Sequence, residues 1–108
     1  MIRSNKTLKD FKRGWLFGDF KNSLFKIKEI EIAVQSYRKG DKEKPHYHKE
    51  AIEYNLVLNG VVKFNNELFF EGEICIIEKE EISNFEALED AKVLVIKKPS
   101  VIGDKYIV

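Results

Sequence analysis

Both histidines of the chain, His46 and His48, stand two residues apart, and Glu53 follows five residues after the second. On an extended strand, positions i and i+2 project from the same face, so the two imidazoles share one side of a sheet. A short turn after His48 brings the Glu53 carboxylate back towards them. Two neutral imidazoles and a carboxylate are borderline-to-hard donors. They suit divalent Fe, Mn, Zn, Ni or Co and disfavour Cu(I). Glu50, two residues from His48, is a rival carboxylate by the same parity. An arbitrary His-x-His segment beside a proline reads as two surface histidines. The acid and the flanking Gly40 and Gly60 set this one apart.

The elements that must hold these groups are strands. Ile30, Ile32 and Val34 alternate with Glu29, Glu31 and Ala33, the period of a half-buried strand ending near Tyr37. Lys39-Gly40-Asp41 turns the chain, and Pro45 opens a short strand carrying the histidines, since proline is tolerated at a strand's first residue. Ile52 to Leu58 is the next strand. With Glu53 facing inward, Asn55 and Val57 share its face, while Tyr54, Leu56 and Leu58 are expected to pack on the other. Asn59-Gly60 and Asn65-Asn66 are hairpin turns, because Asn and Gly accept left-handed dihedrals. Further strands are expected at Val61–Phe64, Leu68–Phe70, Ile74–Ile77, Ile82–Phe85 and Val93–Ile96. Eight to ten short strands, with no segment of helical period, indicate an all-β sandwich or barrel. The first 26 residues form an irregular or strand-like extension that lays Trp15, Phe17, Phe20 and Phe25 over the core. The whole chain is expected to be one domain.

Written as a pattern, Gly40 to Gly60 is G-x5-H-x-H-x4-E-x6-G. This resembles the first motif of the cupins, small jelly-roll (double-stranded β-helix) barrels in which that motif supplies two His and a Glu to a metal. The resemblance covers 21 of 108 residues and implies His46, His48 and Glu53 as metal ligands. It favours Glu53 over Glu50. The family's second motif, roughly G-x5-P-x-G-x2-H-x3-N, aligned on Gly72, puts Glu78 at the proline, Glu80 at the second glycine and Ser83 at the histidine. The fourth ligand is therefore absent, with Glu81 the nearest carboxylate. The resemblance further implies isomerase, epimerase, lyase or dioxygenase chemistry on a small carbohydrate or carboxylate. Tyr37 and Glu50 are the proton-transfer candidates, and Asn55 and Ser83 the candidates to line the substrate cavity. Two other readings compete: a non-catalytic cupin that binds a small ligand, and a metal-free sugar-nucleotide-modifying cupin with His46 as base beside a carboxylate.

Bulk composition narrows the partners. A net charge of +1, with 34% charged and 44% hydrophobic residues, describes an ordinary globule. Basic residues are scattered, so no phosphate-tracking stripe exists and nucleic acid is not an expected partner; Lys6–Arg13 reads as a solvated segment. No apolar run is long enough for a signal peptide or membrane span, which leads to an expected cytoplasmic location with no membrane partner. The lone Cys75 lies in an apolar run and reads as core filler. Lys63 and Arg38 could meet an anionic substrate. The apolar tail, Ser100 to Val108, is expected to dock on its own barrel or on a second subunit, and open sheet edges together with the cupin resemblance lead to an expected homodimer.

Overall fold

The computed structural model describes residues 2–108. Eleven strands follow two 3₁₀ turns at Leu8–Asp10 and Lys12–Gly14: β1 Trp15–Gly18, β2 Phe25–Lys26, β3 Glu31–Tyr37, β4 Lys42–Tyr47, β5 Ile52–Asn59, β6 Val62–Phe64, β7 Glu67–Phe69, β8 Ile74–Ile77, β9 Ser83–Ala87, β10 Ala91–Lys98 and β11 Tyr106–Ile107. They form a six-stranded sheet, β2-β1-β3-β10-β5-β8, and a five-stranded sheet, β11-β4-β9-β6-β7. All pairings are antiparallel except β1 with β2. The all-β jelly-roll expectation is met.

Alternation decides what faces inward. On β5, Glu53, Asn55 and Val57 are buried while Tyr54 and Leu58 are exposed, and on β10 Ala91, Val93 and Val95 point in. The inward side chains meet Val62, Phe64, Phe85 and Ala87 of the opposite sheet and Cys75 and Ile77 of β8 to form one core. Tyr54, Leu56 and Leu58, expected to pack on a second layer, have none; they face outward. The hairpin after β5 needs Gly60, whose φ is +83°. A β-carbon there would collide with the backbone oxygen of Asp90 and come within 2.7 Å of Ala91 Cβ.

One local expectation is corrected, and another is met by the first of its two alternatives. Pro45 does not open β4; the strand begins at Lys42, and proline sits where the β4–β9 register slips between Glu43 and His46. An irregularity of this kind spares the amide that proline lacks. The tail docks on its own barrel: β11 pairs with β4, Tyr106 opposite Tyr47 and Ile107 opposite His46, and the Val108 amide donates to the Pro45 carbonyl. Among the described residues, no helix is long and apolar enough to cross a membrane.

Candidate metal and ligand site

His46 lies on β4 between two partner strands, so its backbone is held from both sides. Its Nδ1 is 2.8 Å from the Lys44 carbonyl oxygen. A carbonyl can only accept, so Nδ1 carries the proton and Nε2 presents its lone pair to the cavity. His48 follows the end of β4 and is 2% exposed. Its Nε2 is buried with no hydrogen-bond partner and stands 4.0 Å from Glu53 Oε2. Burial, aided by the positive charge of Lys97, pushes the His48 pKa down to about 4, so the ring is neutral at neutral pH. The rings are 5.3 Å apart at 82°.

The turn between His48 and Glu53 is fixed from the far end of the chain. Asp104, 6% exposed, accepts the Lys49 amide at 2.9 Å, the Glu50 amide at 3.0 Å and the Ala51 amide at 3.0 Å. Three amides converging on one carboxylate pin the backbone linking the two donors. Glu53 is pinned as well: Asn55 Nδ2 donates to its Oε1 at 3.1 Å and approaches the Cys75 carbonyl at 3.4 Å. Oε2 is left facing His48 on one side and the Lys97 ammonium, 3.9 Å away, on the other. Lys97 lies opposite Glu53 in the β10–β5 register, and its ammonium is 5.0 Å from the centre of the Trp15 ring.

A second polar chain crosses the cavity. The Tyr37 hydroxyl lies 2.6 Å from Gln35 Oε1 and 3.1 Å from Glu43 Oε2, sharing its proton between two acceptors, while Lys105 donates to Glu43 at 3.3 Å. Burial and the neighbouring Glu43 charge raise the Tyr37 pKa far above its ordinary value, so the phenol stays protonated. At Glu43 burial acts upward, but Lys105, the Tyr37 hydrogen bond, Arg13 and His46 outweigh it and lower its pKa. The cavity these groups line measures about 70 Å³.

His46, His48, Glu53, Asn55, Ser83 and Tyr37 all line this cavity. Ser83 stands opposite His46 in the β4–β9 register. Asn55 takes the structural role among its alternatives, orienting Glu53. Glu50 lies outside this cavity: its side chain is exposed, and its amide donates to Asp104. Glu81 accepts the Glu78 amide and lies outside the cavity; Lys63 pairs with Glu86 and Arg38 is exposed. His46 has a backbone carbonyl, not a carboxylate, on Nδ1, so the base-with-carboxylate arrangement is absent from this ring. Sequence reading missed Lys97, Gln35, Glu43, Arg13, Lys105 and Asp104. Lys97 and Gln35 had usable signals, Lys97 continuing the inward parity of Val93 and Val95 and Gln35 sharing that of Tyr37.

The donors suit a divalent ion chemically, because the orphaned His48 nitrogen, the free His46 Nε2 and Glu53 Oε2 have no better partners. The geometry is open. Ligands each about 2.1 Å from an ion and at right angles lie about 3 Å apart, against 4.0 Å between His48 Nε2 and Glu53 Oε2. Among the described residues, no three His, Cys, Asp or Glu side chains stand close enough to hold a metal as they lie.

No family model matches the chain, and no curated protein matches it in sequence. Solved structures do match its shape. A protein with a double-stranded β-helix domain from Klebsiella pneumoniae superposes with a TM-score of 0.69 at 15% identity, over 76% of this chain and 72% of its own. A cupin-2 domain protein from Shewanella frigidimarina gives 0.60 at 18%, over 67% and 72%. The DMSP lyase DddQ from Ruegeria pomeroyi gives 0.75 at 14%, over 87% of this chain and 49% of the lyase. Identities this low speak to architecture, and on that ground the chain is a small protein of the cupin fold, a double-stranded β-helix.

Proposed function

We propose that the barrel cavity binds the reacting end of a small anionic or polyhydroxy metabolite, together with a divalent cation held by His46, His48 and Glu53. The observation that carries this reading is the His48 Nε2 atom: buried, partnerless and aimed at a carboxylate oxygen. A buried polar nitrogen without a partner costs about 1–3 kcal/mol, and a bound ion is one way of removing that cost. A divalent ion bound there would supply Lewis acidity towards a carbonyl, carboxylate or hydroxyl oxygen.

The chain's own residues shape what can enter. At about 10–15 Å³ of cavity per water, the 70 Å³ present holds about five water-sized groups, so only one end of a metabolite fits. Arg13, Lys97 and Lys105 line the cavity against Glu43 and Glu53, an excess of one positive charge before the imidazoles are counted, which favours an anion. Tyr37, held protonated with its one hydrogen engaged by Gln35 and Glu43, would accept a hydrogen bond from a ligand at the cavity wall and would donate one only by giving up those acceptors. The DMSP lyase with the same fold is consistent with small-metabolite chemistry on such a scaffold.

A second reading, metal-free anion binding, is favoured by one contact: the Lys97 ammonium already opposes Glu53 Oε2 at 3.9 Å. Calorimetric titration of stripped protein with Mn(II), Ni(II) and Zn(II) separates the two. One site per chain is expected, lost in His46→Gln and Glu53→Gln variants of unchanged circular dichroism. No uptake by the wild-type chain, or uptake indifferent to both substitutions, overturns the metal reading and leaves anion binding.

A further inference from the structure

Beside the cavity lies an open groove of about 570 Å³, walled mainly by the segment from Asp10 to Trp15, the loop from Phe20 to Asn22 and the tail from Val101 to Lys105. Arg13, Trp15, Lys97 and Lys105 line both spaces, so the groove and the cavity adjoin. The walls are held in place. The Ser100 hydroxyl accepts the Asp19 amide at 2.8 Å, which ties the loop to the tail. Gly14 lies flat on β3, where a β-carbon would strike the Val34 carbonyl oxygen, and Gln35 Nε2 donates to the Arg13 carbonyl at 3.3 Å. Arg13 itself has a φ of +52°, a left-handed backbone that a residue other than glycine keeps where its surroundings fix it. Phe20 is seated on bare backbone, since a β-carbon at Gly18 would collide with its ring.

Arg13 is the cation left over. Lys97 faces Glu53 and Lys105 faces Glu43, whereas among the described residues the Arg13 guanidinium makes no ion pair and donates no hydrogen bond. Of the acids on the groove, Asp104 is occupied by three amides and Asp10 by the Thr7 amide, which leaves Glu31. A guanidinium fork takes two oxygens of a carboxylate or phosphate at once. We propose that the groove binds the body of a ring-bearing oxyanion, whose carboxylate or phosphate lies on Arg13 at the boundary with the cavity and whose flat apolar ring lies against Trp15 and Phe20. This rests on the anion part of the cavity reading and is independent of the metal. The volume fits, because small-molecule sites measure about 300–1,000 Å³ and the cavity alone admits one end of a ligand. A ring suits the walls because aromatic pairs gain from offset or edge-on contact. A polyhydroxy body does not, since among the described residues Asn22 is the one uncharged amide or hydroxyl side chain lining the groove.

Trp15 is the single tryptophan of the chain, so its emission reports on the groove. The test titrates metal-free protein with 3-phenylpropionate, phenyl phosphate, acetate, inorganic phosphate and 3-phenylpropanol. At least one ring-bearing oxyanion should change the emission saturably and bind about tenfold tighter than its ringless counterpart and than the ring alcohol. Arg13→Gln should weaken that probe about tenfold at unchanged circular dichroism. Phe20→Ala should remove most of the advantage of the ring, and Lys39→Gln, a cation outside the groove, should do neither. Equal affinities for ringed and ringless anions, or binding indifferent to both Arg13→Gln and Phe20→Ala, overturns the groove site, while acetate or phosphate binding leaves the anion reading of the cavity standing. Binding of no anion at all overturns both, and calorimetric ion uptake then judges the metal by itself.

Discussion

The two ends of the barrel interior are built from the same strands with opposite chemistry. On β5, Val57 belongs to the apolar end while Glu53 and Asn55 belong to the polar one; on β10, Ala91, Val93 and Val95 run into Lys97. The apolar end is filled by small and branched side chains at close to zero exposure, Val57 at 1% and Val62 and Ala87 at 0%. Burial of that surface at about 25 cal/mol per Å² supplies the folding energy. The polar end removes from water two imidazoles, two carboxylates and an ammonium, and it leaves one nitrogen orphaned. One end of the cylinder stabilises the fold so that the other can be held in a state no isolated cluster would keep.

The sharpest break of that contrast is to put a charge at the apolar end. Val62→Asp, a carboxylate with no partner among Val57, Phe64 and Ala87, should cost more than about 4 kcal/mol and abolish the cooperative melt. An isosteric change of charge at the polar end, Glu53→Gln, should leave melting within a few degrees of wild type. Equal melting temperatures for the two variants would erase the distinction between the ends.

Asp104→Ala comes next. Removing a buried carboxylate that holds three amides of the 49–51 turn should cost about 2–4 kcal/mol in chemical denaturation. The loss should also extend to the site, because the turn sets the distance from His48 to Glu53; divalent-ion affinity should fall in the variant even where it is fully folded. Asp104→Asn, which keeps one acceptor, should fall between the two.

What the chain makes legible follows from the range of the forces involved. Period-two alternation is local, so the inward parity of His46, Glu53, Asn55 and Val57 could be read directly, and the glycine-bounded spacing of the donors added the fold. Asp104 could not be read, because it acts on amides 53 to 55 residues away in sequence. Lys97 was hidden by its neighbours: Lys97-Lys98-Pro99 reads as the polar end of a strand, whereas the strand runs on through Lys98 and carries the first lysine inward. Tyr54, Leu56 and Leu58 were expected to pack because they are apolar, but alternation tells only which face a side chain takes. Whether another layer covers that face is a tertiary fact.

The polar end should also show itself in pH. His48 ionises near 6.5 in the unfolded chain and near 4 when folded. The unfolded state therefore takes up the proton first, and the contribution of neutral His48 to stability is complete above about pH 6.5 and lost as pH falls towards 4, on the order of 3 kcal/mol in all. Urea midpoints of metal-free protein at pH 7 and pH 4.5 should diverge in the wild type, and by distinctly less in His48→Gln, which cannot titrate. Identical slopes for the two would remove His48 as the source.

The smallest effect is the one that best separates the readings of the site. Lys97 places a positive charge 3.9 Å from the carboxylate oxygen a metal would need, and two unit charges at about 4 Å interact by about 4 kcal/mol at an effective dielectric of 20. The ammonium therefore competes with a cation for Glu53 while stabilising an empty or anion-filled cavity. Lys97→Met retains the packing on Trp15 and removes the charge. Stability should change by less than about 1 kcal/mol, since the desolvation relieved offsets the attraction lost. Divalent-ion affinity should rise about tenfold by calorimetry, and affinity for a small carboxylate such as acetate or malonate in the metal-free protein should fall. If Lys97→Met weakens both, the lysine is a scaffold for Glu53 and not its rival cation, and the metal and anion readings must then be divided by the histidines alone.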